Sequence, residues 1–496
     1  MKKLYIKAIG ALLLGGSMVS CGNDFLDTKM YDSIDMESGL VNVDNIGYAL
    51  NGVYYRLYYY YFAGNYAVNI GDIASDLSYW NGETGHFNLI YQFQPRSTDT
   101  YLYYIWNYGY KVADNSARII KAGNELYADA TEGDKVDLDV YLGEAYALRA
   151  YAHFLLVNIY GHQYKVNGQD FGDKPGIVIV DEPIPANTQV SRATVAQTYA
   201  QIVSDLKNSI AHFTAAGGDR GDVLYFNLAA ANGLLSRVSL YMEDYQASIN
   251  AAEDAIAESG ITELTYDPVK YKALYNYGTS NNESMFTLAI TTLDNWSANS
   301  SGNIWSSYNF SPSPYLQSLY GANDIRRSIM TWNAASTEQV PIYGGGKVAA
   351  FAYGNPAYGT EYLINAPEMF LNQAEAYLKL PTPDINKAKD ALLVVAKRNP
   401  DIASVSDLPA TAEDLMSFIR DERARELFQE GLRLYDLRRW DVMANVVAEE
   451  APSIKYVVNN YKISNFVFPI PEDEINAGFG VTQNEGWASA LPNAAN

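Results

Sequence analysis

Leu142, Ala145, Leu148, Ala152, Leu155, Leu156 and Ile159 recur at three- and four-residue spacing, and Gly161 follows directly after. That period is the turn of an α-helix, so the side chains form one apolar stripe ended by a glycine stop. A stripe of this kind gains its stability by packing on other helices rather than from propensity. The chain supplies such partners. Helical periodicity also covers Val43 to Tyr61, Trp106 to Leu126, Val195 to Phe213, Phe226 to Tyr241, Asp244 to Glu258, Ala366 to Leu380, Ile385 to Arg398 and Ala412 to about Val446. Ser191 and Thr194 can cap the run that starts at Val195. The expected fold is mainly α.

Repetition is present but degenerate. Tyr245, Ser248, Ala252 and Ala255 are spaced three, four and three apart, and Ile385, Ala388, Leu392 and Val395 repeat that spacing after the next helix. Small residues facing bulky ones let paired helices approach closely, as in tetratricopeptide pairs, although a generic helical hairpin meets the same spacing. Thr262 to about Tyr358 differs in kind, being rich in Asn, Ser, Gly, Pro, Tyr and Trp, with a strand-like run Met285 to Ile290. A loop-rich insertion of this size points to function, because ordering it costs entropy and adds little core.

The N-terminus has a basic start at Lys2, Lys3 and Lys7, an apolar run of about 10 residues and small residues before Cys21. It reads as a secretory signal over residues 1–20, followed by a polar linker over 21–39 and a single domain over 40–496. Cys21 is the only cysteine, so no intrachain disulfide can form, and stability must come from packing. The placement of Cys21 suits lipidation, with an incidental thiol as the alternative. Acylation by two or more chains would hold the protein firmly at a membrane surface. A net charge of −22 opposes nucleic acid as a partner. The chain has 42 tyrosines against 7 tryptophans. Tyrosine has an apolar face and a polar tip, which suits wet recognition surfaces. For any single tyrosine, packing between helices is the competing reading.

The densest charge pattern runs from Phe418 to Trp440. Glu422, Glu426 and Glu430 are spaced four apart beside Arg423 and Arg433, with Leu427, Phe428, Leu432, Leu437 and Trp440 beneath, which suggests an ion-pair network over an apolar stripe. This stretch resembles the hallmark of the SusD/RagB family, surface nutrient-binding lipoproteins. Cys21 with Asp24 to Asp27, Glu144 to Tyr151, Ser236 to Tyr241 with Asp244 and Tyr245, Glu368 to Tyr377, Phe468 to Ile475 and Gln483 with Asn484 extend the resemblance over nearly the whole chain. The resemblance implies four tetratricopeptide-like helix pairs supporting an irregular ligand-binding face. It also implies a lipid anchor at Cys21 in the outer membrane, a glycan or in some members a peptide as ligand, and a SusC-like TonB-dependent transporter as partner. It implies no chemistry and no cofactor.

Two segments combine aromatic and planar polar side chains, the mixture that stacks on sugar C–H faces while hydrogen bonding to neighbouring hydroxyls. The first offers Asp76, Tyr79, Trp80, Asn81, Arg96 and Tyr101, and the second Asn295, Trp296, Trp305 and Tyr308. Each tryptophan could equally be core, and Trp106 and Trp440, inside helical stripes, read as core. The four histidines show no metal-ligand spacing. Asp134, Asp137 and Asp139 lack the pattern of a calcium loop and read as a solvated loop. A glycoside hydrolase, which needs only two suitably separated carboxylates, and a purely adhesive lipoprotein are the competing classes.

Overall fold

The structure is a computed structural model that describes residues 39–80, 82, 84–276, 281–308, 310–330, 346–348, 355, 357–442 and 467–486, with the backbone of 456–457 and 493–494. Cys21, the signal and the linker lie outside these residues. Helix α1 (Val43–Tyr58) is capped by the Asn42 side chain, and α2 (Tyr66–Ile73) and strand β1 (Ser78–Trp80) follow. The two longest helices come next: α3 (Thr100–Tyr127), capped by Asp99, and α4 (Glu132–Tyr160), capped by Thr131. A reciprocal capping box between Thr194 and Gln197 then opens α5 (Val195–Ala216). Helices α6 (Leu228–Tyr241) and α7 (Tyr245–Ser259) form a tight pair.

The loop-rich block contains β2 (Ser284–Leu288) and β3 (Phe310–Pro312). It is closed by β4 (Glu361–Asn365), which runs into α8 (Ala366–Lys379), then α9 (Ile385–Ala396), α10 (Ala412–Leu427) and α11 (Arg433–Trp440). Helix packs on helix in sequence: α3 on α4, α4 on α5, α6 on α7, α7 on α8, α8 on α9, with α1 across α3 and α4 and α10 against α8. The small residues do what their spacing predicts. Ser248, Ala252 and Ala255 are buried, and the Ser236 and Ser248 hydroxyls each donate to the other's backbone carbonyl at 2.9 Å.

The insertion is less irregular than its composition suggests. Strand β1 pairs antiparallel with β3, and β2 with β4, so the block is stitched to the helical body at two places. The C-terminal run is not one helix. It breaks after Leu427, where Gln429 and Gly431 take φ of +66° and +74°. Gly431 passes so close to α2 that a β-carbon there would lie 2.2 Å from the Val68 carbonyl oxygen, and one at Gly71 would lie 1.9 Å from the Gly431 oxygen. Only glycine tolerates both the approach and the positive φ. Asp134, Asp137 and Asp139 do not form a solvated loop but lie in α4, where buried Asp139 accepts from Tyr127 and contacts His212 at 2.7 Å.

The ion-pair network expected from Glu422 to Arg433 is present with different partners. The glutamates draw most of their cations from outside the motif: Glu422 takes Arg326 at 2.7 Å, along with Arg425 of its own helix at 2.6 Å, Glu426 takes Arg326 at 3.1 Å and Arg398 at 3.2 Å, and Glu430 takes Lys347. Arg423 instead pairs with Asp436 at 2.7 Å, and Arg433 with Asp76 at 2.7 Å. Burying so many charges contributes little net stability against apolar packing, but removing one partner is costly. The network therefore fixes how the insertion, α2 and the C-terminal helices dock.

Candidate functional site

The candidate site grows from the end of α1. The sequence there reads Tyr58-Tyr59-Tyr60-Tyr61-Phe62, and a helical turn can bury only part of such a run. The helix stops at Tyr58, Phe62 and Ala63 go fully into the core, and Tyr59, Tyr60 and Tyr61 are left half-buried. The turn depends on Gly64, where a β-carbon would lie 1.8 Å from the Tyr58 carbonyl oxygen and 3.2 Å from the Trp296 indole nitrogen.

Around this turn the rings form a continuous face. Tyr61 stacks on Tyr104 with centroids 3.6 Å apart and planes 2° from parallel, and Tyr59 stacks on Tyr108 at 4.9 Å. Trp296 closes the face from the insertion, with its ring 4.6 Å from Tyr59 and 4.8 Å from Tyr58. Tyr66 continues it to Tyr101 at 4.7 Å, and Tyr101 stacks on Phe87 at 4.0 Å. Beyond, the Tyr101 hydroxyl meets His86 Nδ1 at 3.3 Å, and His86 stacks on Tyr308 at 3.7 Å.

Polar bonds hold the loop that carries Trp296. The Trp296 indole N–H donates to the Tyr58 carbonyl at 3.1 Å, and the Tyr58 hydroxyl donates to the Asp294 carbonyl at 2.9 Å. Beneath, Asn65 Nδ2 donates to the Asn299 carbonyl at 2.7 Å, and Asn69 Nδ2 donates to Ser301 Oγ at 2.7 Å. Buried Glu361 lies under the same loop. Neither of its carboxyl oxygens has a well-formed hydrogen bond, and burial pushes it up to about 8, eased by the Ser301 hydroxyl. On the face itself burial raises the Tyr59, Tyr66 and Tyr101 hydroxyls and lowers His86, while a hydrogen bond with Tyr60 and then burial raise Tyr61. The face therefore offers neutral rings and protonated hydroxyls, the pairing that serves sugars.

Of the residues expected from sequence, Tyr101, Trp296 and Tyr308 come together on this face. Asn295 borders it but is occupied in shaping the loop, donating to the Thr291 carbonyl at 2.9 Å and accepting from the Ser297 N–H at 3.0 Å. Three expectations are corrected. Asp76 is 3% exposed and grips Arg433 through two hydrogen bonds of 2.8 and 2.7 Å. Trp305 is 0% exposed and its indole donates to Asn69 at 2.6 Å, so it supports the face from inside. Trp80 is buried against Tyr91, because in β1 its side chain falls on the inner side. Tyr79, its neighbour in the strand, is half-buried opposite Ser311. Arg96 is exposed in the loop before α3, and Asn81 lies outside the described residues. Trp106 and Trp440 are in the core, as their helical positions predict. Sequence reasoning missed Tyr59 to Tyr61, Tyr66, Tyr104 and Tyr108. The available signal was four consecutive tyrosines at the end of an amphipathic helix.

Two SusD family profiles match this chain, one described as "Starch-binding associating with outer membrane" over residues 24–240 and one as "SusD family" over residues 353–487. Among solved structures it is similar to a SusD superfamily protein from Bacteroides thetaiotaomicron at 24% identity and a TM-score of 0.76, covering 90% of this chain and 100% of that one. A SusD superfamily protein from Bacteroides vulgatus is similar at 23% identity and a TM-score of 0.75, covering 90% and 99%. A SusD-like carbohydrate binding protein from the same species is similar at 20% identity and a TM-score of 0.67, covering 81% and 84%. No curated protein matches. The chain belongs to the SusD/RagB family, and the mainly helical scaffold expected from its sequence is the fold it adopts. Among the described residues no helix is long and apolar enough to cross a membrane.

Proposed function

We propose that this protein binds glycans at the cell surface through the tyrosine and tryptophan face and passes them to a SusC-like TonB-dependent transporter. The observation that carries this reading is the face itself: contiguous neutral rings, most of them half-buried and rimmed by hydroxyls, with Trp296 on a loop pinned to Tyr58 by hydrogen bonds. A sugar chain laid across it would exchange water for ring contacts while its hydroxyls keep hydrogen-bond partners. The description of one matching profile as starch-binding and outer-membrane associated supports the same reading. The anchor in this account is acylated Cys21, exposed after removal of residues 1–20, with residues 21–39 giving reach from the lipid to the domain.

The test is a glycan screen of the protein lacking residues 1–21, by native gel and isothermal titration. Retention on a glycan without release of reducing ends supports the proposal. Retention of peptides alone would refute it, and release of reducing ends would make the protein a hydrolase. Cys21→Ala should leave glycan binding intact and remove the protein from the membrane fraction.

A further inference from the structure

The ring face is neutral, but two cations stand at its edge. Arg56, in the last turn of α1, and Lys111, in α3, both bear on Tyr108. The Lys111 ammonium lies 4.4 Å from the Tyr108 ring centroid, and the Arg56 charge opposes the upward push of burial on the Tyr108 hydroxyl. The two cations also feel each other. Burial first, and Arg56 second, pull Lys111 below the usual lysine range.

Neither forms an ion pair among the described residues, whereas Arg326, Arg398, Arg423, Arg433 and Arg439 all do. The nearest acid along the helix, Asp114, is already taken by Arg118 at 2.7 Å and by the Ile184 N–H at 3.2 Å. A last-turn position suits Arg56 through the helix dipole. That does not account for a second positive charge held beside it. Exposed lysines are ordinarily just solvated, but here two like charges flank a platform of stacking rings. The chain's net charge of −22 would otherwise repel an anion, so local cations are what could admit one.

We infer that the glycan taken by this face is acidic, with Arg56 and Lys111 holding a carboxylate or sulfate group of a sugar while Tyr59 and Trp296 stack on the chain. This rests on the glycan-binding reading above and specifies its ligand class. Both anions offer the same chemistry, planar or tetrahedral oxygens that accept charge-assisted hydrogen bonds.

The test is isothermal titration of the protein lacking residues 1–21 against polygalacturonate, dextran sulfate and a panel of neutral glycans including dextran. Polygalacturonate carries carboxylates alone and dextran sulfate carries sulfates alone, so the two arms separate the sources. The expected result is affinity for at least one acidic polymer that falls roughly tenfold or more in Arg56→Gln/Lys111→Gln and weakens with added salt. Lys207→Gln, which removes an exposed charge on α5, should change nothing, and matched thermal melts should show that each variant is folded. The inference is overturned if a neutral glycan is the tight ligand and the Arg56→Gln/Lys111→Gln variant binds it like the parent. In that case the glycan reading itself stands. If no glycan of either kind is held, both fail.

Discussion

Asp76 gives the sharpest test of the structure against the sequence, because its residue type suggests a ligand contact and its position makes it structural. Asp76→Ala removes two hydrogen bonds, of 2.8 and 2.7 Å, from the Arg433 guanidinium. The arginine side chain is 5% exposed and cannot recover its water. It keeps the Arg420 carbonyl at 2.9 Å and a 3.5 Å contact with the Tyr315 hydroxyl. Breaking a buried pair from one side costs about 3–5 kcal/mol, most of it for the charge left behind. Asp76→Asn, which keeps one acceptor, should cost about half as much, in the range of about 1–3 kcal/mol for a lost charged hydrogen bond. Urea unfolding followed by tryptophan fluorescence reads both, as a lower midpoint at unchanged slope. Glycan affinity per folded molecule should stay within about twofold, a shift of less than about 0.5 kcal/mol. If Asp76→Ala unfolds at the parent midpoint yet loses glycan affinity, Asp76 is a ligand group and its assignment to the docking network is wrong.

Glu361 predicts a pH effect of definite sign. Its carboxyl stays protonated in the folded protein up to about 8, whereas the unfolded chain releases that proton near 4.3, so this group's contribution to stability falls as pH rises between those values. Glu361→Gln should therefore stabilise the protein at pH 7 by up to about 3 kcal/mol and change little at pH 4, as read by thermal melts at both pH values. Glu422 acts in the opposite sense. Despite its burial, Arg326 and then Arg425 hold it down to about 2, so its contribution is full above about 4.3 and is lost as pH falls towards 2. Glu422→Gln should flatten the acid limb of the stability profile. Gly64→Ala should cost about 1–3 kcal/mol by overpacking the turn and should weaken glycan binding, because the new methyl displaces the Tyr58 carbonyl that holds Trp296.

Helices were the most legible part of this chain, because a stripe such as Leu142 to Ile159 has one physical solution, burial against other helices. Their ends were legible where a cap was present, as at Thr194. The break at Gln429 to Gly431 was hidden because apolar residues continue on both sides of it, and only the approach of α2 to Gly431 explains it. Partners in the ion network were hidden for a related reason. Glu422 and Arg423 are adjacent in sequence, but a helix turns them to different sides, and their partners Arg326 and Asp436 come from other segments.

The site was legible by residue type and not by exposure. Trp296 and Trp305 sit in similar surroundings in the sequence, yet one lies on the face and the other is sealed beneath it by Asn69. The tyrosine run was visible, but that its rings stay at the surface follows from α1 ending at Tyr58, which the helical pattern through Tyr61 concealed.

In the proposed function the ring face takes the ligand. Once a bound glycan is in hand, isothermal titration of Tyr59→Ala/Trp296→Ala against the parent tests it most directly. At about 0.5–1.5 kcal/mol for each aromatic contact, removal of both rings should weaken binding by roughly 5- to 150-fold while the protein remains folded by circular dichroism. Parent-like affinity in that folded variant would contradict the claim.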